Sequence, residues 1–378
     1  MKKNNLYIGI LTGTSMDSID CGIYNFNDKK SKIISFSENN YPLSIKESIK
    51  NDLKNVKDKH KYKDSSSHHE LAVYYSKIIN NLLNKNNIKK EDISAIGMHG
   101  QTVSHVKKNS QTTSIQIGCP KTLNEKTNIK VVSDFRQDDI KNGGEGAPLA
   151  PIFHDYIFKK LSAKRVIVNI GGISNISFLT SKNNSLYGFD SGPGNTLIDS
   201  WVKSKYNLNY DINGNIAESH NCIQQLLENL MMDKYFQNKF PKSTSTEYFS
   251  KDWLSKNLKF LSSDYSDGDI LATLTNLTAF SIIQSIADNY EDCDEIYVCG
   301  GGAFNKTIMA EMKFAARKRF SEKIIVSTTD SLGVNPKTVE SGLFAWLAMS
   351  KVSNIPLDYT KITGSNTPKT LGKIYTSK

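Results

Sequence analysis

Residues 165–180, RVIVNIGGISNISFLT, carry a strand-like run of Val and Ile into a Gly-Gly turn and out again into a second apolar stretch. β-Branched residues suit a pleated sheet and paired glycines suit the reversal between strands. LYGFD (186–190) supplies a third short strand, and after a helical region EIYVCG (295–300) and KIIVST (323–328) add two more. The first part of the chain repeats this order, with strands expected at residues 7–11, 21–26 and 32–36, then helices, then a strand at 93–98. Polar or glycine-rich tips fall in matching places: LTGTSMD (11–17) and NIGGISN (169–175) end the first strand of each half, GMHGQT (97–102) and CGGGAFN (299–305) a later one. Glycine there lets backbone approach a ligand closely, and successive amides in such turns can cradle an anion. Each turn alone could be an ordinary hairpin loop; four in register imply two halves and a cleft.

This pattern resembles the duplicated actin-like ATPase (ribonuclease H-like) fold, an α/β architecture of two lobes around a central nucleotide and sugar cleft. The expected lobes are residues 1–135 with 340–378, and residues 136–339. A chain of 378 residues with 38% apolar content can bury such cores. No run approaches the roughly 18 consecutive apolar residues of a membrane span, and the N-terminus does not read as a signal peptide. Five cysteines lie far apart without CxxC or zinc-type spacing, which fits a reduced cytoplasm. The net charge of +10 comes almost wholly from lysine, with Arg136, Arg165, Arg317 and Arg319 as the only arginines. Base and phosphate readout favours arginine forks, so neither a nucleic-acid nor a membrane partner is expected. Residues 51–67 read as an exposed helix and loop, and His68 and His69 as the opening of the next helix rather than a metal pair.

Phosphoryl transfer needs positioning and charge neutralisation more than covalent help. In GTSMDSID (13–20), Gly13 permits a tight turn, the hydroxyls of Thr14 and Ser15 with the local amides can face phosphate, and Asp17 or Asp20 could hold Mg2+ directly or through water. The alternative is an Asx-capped hairpin turn with solvated aspartates. Asp190 ends a short apolar strand, and SGPGN turns the chain into a helix capped by Asn195 or Thr196. A carboxylate on that rigid mount suits a general base, the alternative being a turn-forming aspartate. Arg136, after an apolar strand, is the natural partner for a carboxylate or phosphate, or else a structural ion pair. His99 and Gln101 sit at a strand tip; Glu340, in the first turn of a helix begun by Pro336, could project toward sugar or simply complement the helix dipole.

GTSMDSID (13–20), MHGQTVSH (98–105), VVSDFRQDDI (131–140), GGEGAPLAPIFH (143–154), NIGGISNI (169–176), GFDSGPGNTLID (188–199), FPKSTSTEYF (240–249), LATLTNLTA (271–279) and VCGGGAFN (298–305) together resemble the anhydro-N-acetylmuramic acid kinase family. The resemblance implies a cytoplasmic, homodimeric enzyme of peptidoglycan recycling. It would use ATP, Mg2+ and water to open 1,6-anhydro-N-acetylmuramic acid and phosphorylate O6, giving N-acetylmuramic acid 6-phosphate, with Asp190 activating the water. It places ATP on Gly13, Thr14, Ser15, Met16, Asp17, Ser18, Ile19 and Asp20, on Gly171 and Gly172, and on Gly300, Gly301 and Gly302. The sugar falls to His99, Gln101, Arg136 and Glu340. The sequence departs from the family at Ser18 (usually Gly), Glu145 (usually Gln), Ser245-Thr246 (usually Gly-Arg) and His220 (usually a small residue). Lys242 could partly replace the missing arginine. The departures keep open a same-fold kinase for another sugar, or a nucleotide-binding interaction protein that has lost catalysis.

Overall fold

A computed structural model describes residues 5–13, 16, 18–27, 30–55, 62, 65–108, 111–182, 185–259, 261 and 265–377. The chain forms two compact units, Met1–Ile157 with Lys337–Lys378, and Phe158–Pro336.

In the first unit, β1 (Leu6–Thr12), β2 (Ser18–Asn27) and β3 (Lys30–Asn40) form an antiparallel meander. β4 (Ile93–Lys108) lies parallel to β1, and β6 (Val131–Ser133) parallel to β4, while β5 (Gln111–Ile117) forms a hairpin with the far half of β4. In the second unit, β7 (Arg165–Ile170), β8 (Ile173–Phe178) and β9 (Tyr187–Pro193) form the meander, with β10 (Glu295–Cys299) and β11 (Ile325–Thr328) added in parallel. β12 (Lys373–Tyr375) pairs antiparallel with β6. The orders β3-β2-β1-β4-β6 and β9-β8-β7-β10-β11 are the same path walked twice. Each is the sheet of the actin-like, ribonuclease H-like fold expected from the sequence.

The core of the first unit gathers Ile8, Ile10, Ile19, Ile23, Leu71, Tyr75 and Ile96. The helix Val339–Val352 crosses this sheet so closely that a Cβ on Gly9 would stand 1.7 Å from the Ser341 carbonyl oxygen, and one on Gly97 1.9 Å from that of Phe344. Glycine is therefore required at both sites for backbone to meet backbone. The second core is built on the helix Asp267–Ala287, buried on nearly every face. Among the described residues this is the one helix long and apolar enough to cross a membrane, and 83% of its apolar window is buried inside the structure, as befits a core helix.

Three expectations change. The unit boundary lies at 157/158 instead of 135/136, because residues 136–157 are tied to the C-terminal segment. The Asp139 carboxylate accepts from the Gly146 amide and the Thr363 hydroxyl, both at 2.8 Å, and the Tyr359 hydroxyl donates to the Leu149 carbonyl. Likewise the segment boundary falls at 336/337 rather than 339/340. GMHGQT is not a strand tip: Gly100 takes φ +80 and β4 continues through it to pair with β5. His68 is buried and its Nδ1 accepts from the Gly118 amide at 3.0 Å, while His69 bonds Thr122.

Candidate functional site

In the second unit the ends of β7, β9 and β10 are knitted together. β10 lies parallel to β7 with Cys299 opposite Asn169, so the glycines after Cys299 emerge beside the turn after Ile170. Gly300 takes φ +79, and a Cβ there would meet the Asn169 side-chain oxygen at 2.4 Å; one on Gly302 would strike Ile170 at 2.2 Å. The Gly171–Gly172 turn is held through its carbonyls: Asn195 donates to Gly171 O at 2.8 Å, Gly194 and Thr196 to Gly172 O at 2.9 and 3.1 Å. The Thr278 hydroxyl fastens Gly194 from below. Around Gly171 and Gly301, by contrast, a Cβ would find its nearest neighbours only at 3.6 and 3.7 Å, so both turns offer accessible bare backbone. The helix Thr196–Tyr206 begins at this point, with Asn195 at its N-cap position but making no side-chain cap. Backbone without side chains beside a helix N-terminus favours an anion.

Asp190 lies on β9 opposite Asn175, beside a register shift, and is 6% exposed. The segment 235–244 holds it at three points: its Oδ2 accepts from the Thr244 amide at 3.0 Å, its N–H donates to Lys242 O at 3.2 Å, and its carbonyl accepts from the Tyr235 hydroxyl at 2.6 Å. Phe240 anchors the same loop by stacking on Tyr187 and Phe189, alternate residues of β9 that share a face. Lys242 does not stand free to replace an arginine. It is buried, with its ammonium 4.9 Å from the Tyr235 ring centre and 5.4 Å from that of Phe189. Ser245, at the first departure in this motif, heads a turn whose carbonyl accepts from Tyr248 and Phe249. His220 packs its ring where a Cβ on Gly268 would intrude, at 2.2 Å.

In the first unit the parallel register of β4 and β6 brings His99 to the helix Phe135–Lys141. Arg136 Nε donates to His99 Nε2 at 2.9 Å and its Nη1 to Gly146 O at 3.0 Å. His99 Nδ1 therefore carries the ring proton and donates to Gly100 O. Burial, with the nearby Arg136 charge, lowers the His99 pKa to about 3, so the ring is neutral and serves to aim the guanidinium. Burial and Arg136 also lower His105 to about 4. Gln101 is fully buried; its amide donates to Thr102 O, and its Oε1 has no partner among the described residues.

Thr14, Ser15 and Asp17 lie outside the described residues. Of the rest of that turn, Met16 takes φ 57 and donates to Gly13 O, the Ser18 hydroxyl leans toward Asp20, and the Ile19 side chain belongs to the core. Burial first, then the charges of Glu340 and Glu38, push Asp20 up to about 7, against the opposing pull of Lys337 and the Ser18 hydroxyl. Lys337 pairs with Glu38 at 2.6 Å. The structure thus joins Asp20 electrostatically to Glu340, and adds Glu38 and Lys337, which the sequence did not single out. Among the described residues no group of three or more His, Cys, Asp or Glu side chains forms a metal-ligand set.

The family model described as anhydro-N-acetylmuramic acid kinase matches residues 5–377. The chain belongs to this family. Curated anhydro-N-acetylmuramic acid kinases from Shewanella sp. (strain MR-4) and Hahella chejuensis (strain KCTC 2396) are 39% and 37% identical to it, covering 98% and 99% of this chain and 99% and 100% of theirs. Among solved structures, a ROK family glucokinase from Streptomyces griseus in complex with glucose and AMPPNP is 10% identical at a TM-score of 0.41, over 90% of this chain and 98% of that one. The activator of the 2-hydroxyisocaproyl-CoA dehydratase from Clostridium difficile with bound ADPNP is 12% identical at 0.46, over 92% and 96%.

Proposed function

We propose that the protein couples hydrolytic opening of 1,6-anhydro-N-acetylmuramic acid to phosphorylation of O6 by ATP. Water loses a proton to Asp190 and its oxygen bonds to C1, the C1–O6 bond breaks, and O6 takes the γ-phosphoryl group as ADP leaves. The products are N-acetylmuramic acid 6-phosphate and ADP. The observation that carries this reading is the Asp190 carboxylate, fixed by the Thr244 amide within β9, which runs on to Pro193 rather than ending at the aspartate, in a chain matched to the family over residues 5–377. A base must be aimed before it is basic, and three bonds from one loop supply that aim.

The Gly171–Gly172 and Gly300–Gly302 turns are the proposed phosphate and nucleoside supports of the second unit, and residues 13–20 the proposed phosphate turn of the first. Mg2+ commonly takes one or two carboxylates and otherwise water and phosphate oxygens. Asp20 fits that sparse requirement, since its acidic neighbours favour a nearby cation. The ion's contribution when bound would be to neutralise phosphate charge. Arg136, aimed by His99, is the proposed partner for the lactyl carboxylate, with Gln101 and Glu340 for sugar hydroxyls and acetamide. We further propose a cytoplasmic homodimer.

Purified protein with Mg-ATP and the anhydro sugar should release one ADP per sugar phosphate formed, and Asp190→Asn should stop this while still binding nucleotide. Near-normal turnover by the variant would remove Asp190 from the chemistry. Because Thr246 stands where the family usually has arginine, a panel of other anhydro and free amino sugars tests the alternative substrate; faster ADP release with one of them would replace the present assignment.

A further inference from the structure

Where β12 closes the edge of the first sheet against β6, a cavity of about 510 Å³ lies wholly within the first unit. Four lysines, Lys141, Lys351, Lys369 and Lys373, line it with two acids, Asp134 and Asp138. Lys141 ends the helix Phe135–Lys141, Lys351 lies in the last turn of the helix Val339–Val352, and Lys373 opens β12. Positions 134, 137, 138 and 141 recur at helical spacing, so one side of the first of these helices faces the cavity. Arg136, on its other side, donates to His99 and Gly146. Both acids are already engaged. Asp138 accepts from Lys369 Nζ at 2.7 Å and from the Gly372 amide at 3.1 Å, with the Lys351 ammonium at 3.9 Å, and Asp134 accepts from the Tyr375 hydroxyl. Among the described residues neither Lys141 nor Lys373 forms an ion pair, the latter lying over the Tyr375 ring. Packing fixes the wall between them: Gly372 takes φ +95, and a Cβ there would meet the Phe135 ring at 2.9 Å.

We propose that this cavity is a second small-molecule site, which binds a phosphate monoester on a sugar-sized body. Four ammonium groups converge on two carboxylates, and the two charges left over repel one another until an anion enters. A phosphate monoester carries a charge of about −1.5 to −2 near pH 7, which matches that excess, and lysine serves phosphate as a point charge. The volume speaks for an organic body, since sites for small molecules run from roughly 300 to 1,000 Å³ and a bare phosphate would leave most of about 510 Å³ unfilled. The cavity shares no lining residue with the proposed sugar and nucleotide contacts, so this inference stands whether or not those assignments hold.

The test is calorimetric titration of the full chain, saturated with AMPPNP, by glucose 6-phosphate, inorganic phosphate and glucose. Glucose 6-phosphate should bind more tightly than inorganic phosphate, and glucose should not bind. The double variant Lys141→Met with Lys373→Met, at two exposed positions, should weaken glucose 6-phosphate at least about tenfold with AMPPNP affinity and thermal unfolding unchanged, while Lys141→Arg with Lys373→Arg should retain it. Inorganic phosphate binding as tightly as the ester would overturn the organic body. No saturable binding to wild type, or equal affinity in the methionine variant, would overturn the site itself. Loss of folding in the methionine variant would overturn it too, by making the two lysines structural.

Discussion

The two units share one sheet path yet finish their strands in different chemistry. In the second, strand ends are stripped to backbone at the Gly171 and Gly301 turns, and Asp190, within β9, is gripped by main-chain and hydroxyl groups. In the first, strands and the helices beside them carry ionisable side chains set against one another, Arg136 on His99 and Asp20 near Glu340 and Glu38. On the proposed assignment, a duplicated scaffold has specialised, one copy toward phosphate-like anions and proton transfer, the other toward recognition by fixed charge. The sheet supplies rigid mounts in both; the tips decide what is mounted.

That division can be broken most sharply at Asp190, where Asn keeps the shape and removes the carboxylate proposed as the base. Turnover should fall about 1,000-fold with calorimetric ATP binding retained. Next comes the scaffold itself. Gly97→Ala would drive a methyl into the Phe344 carbonyl and should lower stability in urea by about 3 kcal/mol or more, with protection from hydrogen exchange lost in β1 and β4 but kept in β7 and β10. Equal loss in both units would mean that they do not respond separately. Arg136→Met should reduce kcat/KM for the sugar acid about 30-fold, chiefly through KM, while leaving KM for ATP unchanged. A rise in the ATP value instead would blur the division.

The smallest effect is a pH effect. Burial lowers the His154 pKa to about 3, so the folded protein keeps this ring neutral while the unfolded chain protonates it below the ordinary value of 6.5. The unfolded state then binds more protons, and the stability associated with neutral His154 is lost as pH falls from about 6.5 toward 3. His154→Leu should therefore gain about 1–2 kcal/mol relative to wild type between pH 8 and 5, read as the difference of two denaturation series. A constant difference would show that the histidine is not held neutral.

The strands rich in Val, Ile and Tyr were legible because their composition and the turns between them are local signals. β5, QTTSIQI, was not, since Thr, Gln and Ser describe loops as readily as edge strands and only its pairing with β4 makes it one. β12 has three residues and exists because β6 offers an edge. The glycine turns and Asp190 could be picked from motifs, but the pairing of Arg136 with His99 depends on the register of two parallel strands, which no spacing along the chain reveals. Lys242 illustrates the same gap: its motif was visible, but that the cation expected to replace the missing arginine in part is buried was not.

The helix Val339–Val352, seated on Gly9 and Gly97, comes from the far end of the chain. During synthesis the first sheet must therefore leave the ribosome with that face bare and wait while all of Phe158–Pro336 is made, whereas the second unit is one uninterrupted segment that can fold as it emerges. Anything that halts translation before residue 339 should release a nascent chain whose later portion is well formed and whose earlier portion is exposed to chaperones.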